Sequence, residues 1–280
     1  MQTPGIRLSL VRAALAMTCF LSMQSAVAVP IVTSGFAADQ AGLQSVVDAF
    51  RAALGAPNNG NAPGPLADGR REINWDGGGA NTTPSGTPFN FFQNIRGALF
   101  TTPGTGFLQA PDEGLATALS NPTYEEVFEA FSAQRLFTPV DSNVTDVSFF
   151  IPGTSGAAPA TVSAFGAIFN DVDFSDTTQL LFFGSSGSSL GSFSAPVGNF
   201  SFLGVSFTDE AIARVRIVTG NSQLGPNDGG DIDVVAMDDF LYAEPQLLQV
   251  PEPPSLALLA LLPLGAWALG RIRRRRIVVR

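Results

Sequence analysis

The strongest constraint on this chain is a succession of short apolar segments between residues 135 and 244. Each is cut off by glycine, serine, asparagine or proline, with no helix-length pattern between them. They read as strands at 143–150, 161–170, 179–183, 188–193, 200–207, 212–219 and 231–242. Several alternate with period two, which sends successive side chains to opposite faces of a strand. Val215 and Ile217 fall on one face, Arg214 and Arg216 on the other. Ala164, Gly166 and Ile168 likewise oppose Phe165, Ala167 and Phe169. Turn residues at 184–188 and 225–230 separate the segments. Strands packed this closely predict a mainly β fold, an antiparallel β-sandwich or jelly roll. Their order cannot be deduced from the sequence.

One soluble helix is expected before them, over residues 39–54. Leu43, Val46, Val47, Phe50 and Leu54 recur at helical spacing and form one apolar stripe. Gly55 and Pro57 end it. Such a helix packs on the side of a sheet. Residues 56–69 are rich in proline, glycine and asparagine and read as loop. Residues 88–107 mix aromatics with turn residues, which suits irregular packed β structure.

Composition excludes several chemistries. The sequence has no histidine, a single cysteine at position 19, and arginine for all 15 of its basic residues. Beyond residue 28 there is therefore no disulfide, no zinc site of nitrogen or sulfur ligands, no Ser-His-Asp triad, no thiolate and no Schiff-base lysine. Catalysis would have to use carboxylates, tyrosine, arginine or a hard cation. Two arginines precede residue 28, six follow residue 270, and Glu252 is the one acid outside 29–249. Between those limits 23 acids oppose 7 arginines, a net charge of −16. Such a domain repels nucleic acid phosphates, so no nucleic acid partner is expected.

The two ends read as targeting segments. Arg7 and Arg12 precede a short apolar core at 13–23, and Ala26-Val27-Ala28 supplies a small-residue cleavage pattern. This reads as a signal peptide over residues 1–28. A membrane anchor would need ~20 apolar residues, and Cys19 sits inside the apolar core, a poor context for lipidation. At the other end, 246–254 reads as a linker carrying Pro251, Glu252 and Pro253, and 255–270 as a transmembrane helix. Its apolar run spans about 22 Å at ~1.5 Å per residue, short of the ~30 Å hydrocarbon core unless the bilayer thins. Residues 271–280 form a basic tail with Arg271, Arg273, Arg274, Arg275 and Arg276. The positive-inside rule keeps those arginines cytoplasmic. Residues 29–245 are then an extracytoplasmic domain.

A Pro-Glu-Pro triplet, a short membrane helix and an arginine cluster, in that order, resemble the PEP-CTERM sorting signal. The resemblance covers residues 250–280 and departs from the pattern in the extra Ile277-Val278-Val279-Arg280. It implies recognition of Pro251, Glu252 and Pro253 by an exosortase, passage through the secretion machinery, and a Gram-negative host producing exopolysaccharide. The order Phe165-Gly166, Asp171-Val172-Asp173, Phe202-Leu203-Gly204-Val205 and Asp238-Asp239-Phe240 resembles the extracellular jelly-roll domains of PEP-CTERM proteins. The stretches 70–77 and 135–146 are similar to a group of exported bacterial proteins. Both likenesses imply location and fold rather than an activity.

Candidate site residues fall in three places. Residues 69–77 hold Glu72, Trp75 and Asp76, where Trp75 would stack on a sugar ring and the acids would bind a cation or act as an acid/base pair. The competing reading is a short strand ending in a turn, with Trp75 in the core. Two acidic clusters follow, Asn170, Asp171, Asp173 and Asp176, then Asp228, Asp231, Asp233, Asp238 and Asp239. Calcium takes six to eight oxygens. If the strands ending at Asp173 and beginning at Asp231 meet at one edge, Asp171, Asp173, Asp231, Asp233, Asp238 and Asp239 could share a structural calcium. The alternative is solvated loop acids. The expected function is a non-catalytic domain of the cell envelope, outer surface or extracellular matrix, in contact with polysaccharide. A carboxylate-dependent polysaccharide hydrolase and a purely structural matrix protein are the alternatives.

Overall fold

The computed structural model describes residues 29–77, 84–208 and 211–248. The signal peptide, the Pro-Glu-Pro triplet, the transmembrane helix and the arginine cluster read from the sequence lie outside these residues. Among the described residues no helix is long and apolar enough to cross a membrane.

The chain enters as β1 (Pro30–Ala37) and turns into α1 (Gln40–Leu54). The Asp39 side chain accepts the Gly42 N–H at 2.8 Å, and Gly55, at φ 87°, ends the helix as expected. Next come β2 (Arg70–Ile73), β3 (Ser85–Gly86), the helical turn α2 (Phe91–Ile95), β4 (Ala98–Thr101) and β5 (Gly106–Ala110). Two short helices, α3 (Asp112–Leu119) and α4 (Tyr124–Val127), precede the main strand series. That series is β6 (Leu136–Val140), β7 (Val144–Phe149), β8 (Ala160–Thr161), β9 (Ala164–Val172), β10 (Gln179–Gly184), β11 (Ser189–Ser194), β12 (Gly198–Phe207), β13 (Ile212–Val218), β14 (Ala236–Ala243) and β15 (Gln246–Leu247).

The fold is mainly β, and its sheets are antiparallel. One runs β1-β12-β9-β14-β6-β5-β3, with β2 also paired to β14; the second runs β11-β10-β13-β7-β4. Both face one core. Phe149 of β7 meets Phe165 of β9 with ring centroids 6.2 Å apart, and Phe182 of β10 meets Phe207 of β12 at 5.5 Å. This arrangement is consistent with a β-sandwich. The region before residue 135 supplies strands to both sheets, so it wraps the same core. A smaller apolar cluster lies under α3 and α4, around Leu115, Tyr124, Phe128 and Leu136.

The strand at 231–242 begins later than expected, at Ala236. Residues before it are held out of the ladder by Asp233, whose buried carboxylate accepts the Asp173 N–H and the Thr177 hydroxyl. The domain also extends past 245, because Gln246 and Leu247 pair with Thr161 and Ala160. β13 keeps its alternation, with Val215 and Ile217 inside and Arg214 and Arg216 outside.

β9 is buried on both faces. Its inner face meets the core, and Phe50 of α1, whose buried stripe is Leu43, Val47 and Phe50, lies against the other. Phe50 lies across Gly166 and Gly204, which pair in register. A β carbon on Gly204 would stand 2.6 Å from the Phe50 ring. Glycine at this crossing is therefore a steric requirement. Gly204→Ala should cost about 1–3 kcal/mol by overpacking, read as a lower urea midpoint, and adding Phe50→Leu should recover part of that loss.

The loop at 56–69 is tied down from below. The buried Arg71 guanidinium donates to Glu244 through Nε and Nη2, both at 2.7 Å. Arg71 Nη1 also donates to the Gly60 carbonyl, while Glu244 accepts from Asn59 Nδ2 and the Leu66 N–H. Removing one partner leaves the other charge buried. Glu244→Gln should destabilise the fold by about 3–5 kcal/mol in chemical denaturation, and Arg71→Met with Glu244→Leu by clearly less.

Candidate functional site

The site begins with an interruption in the first sheet. On one side of β14, β6 reaches only Met237, and β2 pairs only Phe240–Ala243. Asp238 and Asp239 lie between, without a ladder partner on that side. On the β9 side Met237 opposes Phe169 and Phe240 opposes Ala167, so the two aspartates face Ile168 alone. One extra residue opposite one makes a β-bulge, which re-aims side chains.

Trp75 closes the opening. Its indole N–H donates to the Asp238 carbonyl at 3.0 Å, in place of the missing ladder bond. Its ring stacks on Phe137 at 3.7 Å and meets Phe92 and Phe240 edge-on at 5.5 and 5.1 Å. The backbone at Trp75 has φ 63°, the left-handed region that bulky residues rarely adopt. The side-chain contacts hold it there.

The Asp238 carboxylate accepts the Phe131 N–H at 2.6 Å and the Ser132 N–H at 3.3 Å, with the Ser132 hydroxyl at 3.2 Å. Asp239 receives Arg51 Nη2 at 3.4 Å. Arg51 Nε also donates to Glu72 at 3.1 Å, and Glu72 accepts Arg70 Nε at 2.7 Å. Burial first, then the Asp239 charge, pushes Asp238 well above the carboxylate range. Burial raises Asp239 as well, opposed by the Arg51 charge.

Two clefts adjoin above this arrangement. One, of ≈320 Å³, is lined by Arg51, Glu72, Asp239, Ser132 and Asn58. The other, of ≈220 Å³, is lined by Trp75, Phe91, Phe92, Ile95 and Asn61. Asn74 and Arg96 border both. Phe91 is 64% exposed. Arg96 donates from Nε to Asn61 Oδ1 at 2.7 Å, and its carbonyl accepts the Tyr242 hydroxyl at 2.9 Å. Burial, with Arg71 nearby, holds the Arg96 guanidinium below its usual range. Another cleft, of ≈330 Å³, lies beside β8 and β15. Its charged lining residue, Glu244, is already engaged with Arg71.

Sequence reasoning had singled out Glu72, Trp75, Asp76 and Asp239, and the fold brings them together. Asp76 accepts Asn74 Nδ2 at 2.9 Å and lies 3.4 Å from the Ser132 hydroxyl. Trp75, however, is 1% exposed, and its face lies on Phe137 rather than open to a sugar. It is the floor of a cleft whose exposed aromatic is Phe91. Arg51, Asn61, Phe91, Arg96 and Ser132 were missed. Arg51 had a weak signal, a lone arginine in the last turn of an apolar-striped helix.

The two acidic clusters read along the chain are regrouped. Asp238 and Asp239 belong to the groove. Asp233 joins Asp173 through the Asp173 N–H at 3.3 Å, as the meeting of those strand ends required. Asp231 is exposed, and its carbonyl accepts from Asn221. The six aspartates named for calcium are thus divided between two places. Among the described residues no group of three or more acidic side chains is arranged to hold a metal ion.

No family model matches the chain, and neither does any curated protein or solved structure.

Burial, reinforced by the charges of Asp228, Asp173 and Asp233, pushes the Asp171 carboxyl up to about 7. A raised carboxyl favours folding while protonated, so its contribution is complete below the unfolded value near 4 and is lost as pH rises through about 7. The melting temperature should fall between pH 5 and 8. Asp171→Asn, which removes the charge at a backbone φ of 67° that asparagine tolerates, should raise the melting temperature at pH 8 and flatten that slope.

Proposed function

We propose that this chain is an exported, exosortase-sorted protein of the cell surface or extracellular matrix, which contacts polysaccharide without cleaving it. The observation that carries the binding reading is the pair of adjoining clefts with an aromatic wall and floor at Phe91, Phe92 and Trp75 and a polar rim at Asn58, Asn61, Asn74 and Arg96. Aromatic faces beside convergent amide and guanidinium donors suit the apolar face and hydroxyl edge of a sugar ring. The targeting segments at both ends support delivery outside the cytoplasm, and an antiparallel β-sandwich or jelly roll suits an extracellular domain.

A hydrolase is favoured by one specific observation, the buried Asp238–Asp239 pair beside Glu72. Glycosidases need one carboxyl to hold a proton and another to stay charged. Here Asp238, the carboxyl that burial raises most clearly, is enclosed by the Phe131 and Ser132 amides, and Arg51 bridges Asp239 and Glu72. The carboxylates that border the cleft are thereby held in ion pairs. Binding without turnover is the better reading.

In the full chain with Trp267→Phe, Trp75 is the sole tryptophan. Its fluorescence should change saturably on titration with matrix oligosaccharides, and Phe91→Ala should weaken that response several-fold. Reducing ends released by the natural chain and lost in Asp239→Asn would establish the hydrolase instead. No response to any saccharide would leave a structural matrix role. For sorting, Glu252→Ala should leave the tail uncut and the protein in the inner-membrane fraction, read by fractionation and mass of the C-terminus.

A further inference from the structure

Among the described residues seven arginines occur, and five are in ion pairs with carboxylates. Arg96 and Arg135 are the exceptions. Arg135 is buried, whereas Arg96 borders both clefts. A cation without a carboxylate partner is unusual in a domain where acids outnumber arginines 23 to 7.

The guanidinium of Arg96 is oriented but not saturated. Asn61 takes Nε, and among the described residues no hydrogen bond uses Nη1 or Nη2. Those two nitrogens are the pair that grips a planar carboxylate in bidentate fashion. The nearby acids do not compete for them. Glu72 is bridged by Arg70 and Arg51, Asp239 by Arg51, and Glu244 by Arg71. Phe91, on the same cleft, offers an exposed ring.

We infer that the clefts take a sugar bearing a carboxylate, a uronate unit, with its carboxylate on Nη1 and Nη2 of Arg96 and its ring against Phe91. The inference rests on the polysaccharide-contact reading and narrows its ligand class. Neutral sugars would leave the half-buried charge of Arg96 unanswered, so the site discriminates by charge as well as by shape. The domain's net negative charge opposes an anionic polymer at a distance, but salt screens that repulsion beyond ~10 Å at 0.1 M while the contact at Arg96 is made inside it.

The test compares a uronate oligosaccharide with the same oligosaccharide after its carboxyls are reduced to alcohols. Binding to the full chain is followed by calorimetry. The natural chain should bind the acidic form at least about tenfold more tightly, the effect of a charge-assisted hydrogen-bonded pair. Arg96→Gln should erase that difference, bringing the acidic form down to the affinity of the reduced form. Arg96→Lys, which keeps the charge and loses the fork, should restore part of it. Phe91→Ala, at an exposed position that does not hold the core, should weaken both ligands together. Equal binding of the two forms by the natural chain would overturn the carboxylate assignment and leave polysaccharide contact standing. Absence of binding to either form would overturn both.

Discussion

A hydrogen bond from the Trp75 indole to the Asp238 carbonyl closes the opening where β2 and β6 fail to meet along β14. Without it a backbone carbonyl in the middle of a sheet would be buried and unpaired, a cost of about 1–3 kcal/mol. The same side chain stacks on Phe137 and meets Phe92, Phe100 and Phe240, so it joins the loop after β2, α2, β4, β6 and β14 at one point. These contacts hold the left-handed backbone at Trp75. They also determine where Phe92 sits, and through α2 where Phe91 and Arg96 stand.

The bulge at Asp238 and Asp239 is the other half of this arrangement. Two adjacent aspartates in a buried strand are unfavourable unless their oxygens find donors. Here the 131–132 backbone and the Ser132 hydroxyl supply them for Asp238, and Arg51 supplies one for Asp239. Arg51 reaches the pair because α1 is pressed onto β9 and β12 by Phe50 over Gly166 and Gly204. One helix therefore covers the outer face of the sheet and fixes the electrostatics of the groove. The stripe that packs and the arginine that bridges lie on neighbouring positions of its last turns.

Arginine use follows from the acidic composition. Arg71 neutralises Glu244, Arg70 and Arg51 hold Glu72, Arg51 also holds Asp239, and Arg214 and Arg216 converge on Asp146. Each guanidinium fork organises a loop, a strand end or an outer sheet face. Among the described residues Arg96 alone combines a fixed orientation, terminal nitrogens without a hydrogen bond and a cleft. Among the described residues Asp171 and Asp173 form no ion pair, and burial, with the charges of Asp228 and Asp233, raises both.

The periodicity of the chain by itself determined that it is mainly β and that one amphipathic helix precedes most of the strands, and its composition that it has no histidine or lysine and no cysteine beyond residue 19. These properties follow from residue types and near-neighbour spacing, which the strand and helix repeats read directly. Glu72, Trp75, Asp76 and Asp239 stood out for the same reason, as charged or aromatic residues among turn residues. Tertiary structure decided the rest. Strand order, the strands β1, β4 and β5, and the helices α3 and α4 depend on pairings between distant segments that local pattern does not encode. Trp75 faces inward because a gap in β14, about 160 residues away along the chain, needs its N–H. Asp233 and Asp239, six residues apart, serve different clusters because a bulge and a turned-in carboxylate separate them. Arg96 became a candidate only when the partners of the other arginines were visible, since whether a charge is paired is a property of three-dimensional contact and not of sequence.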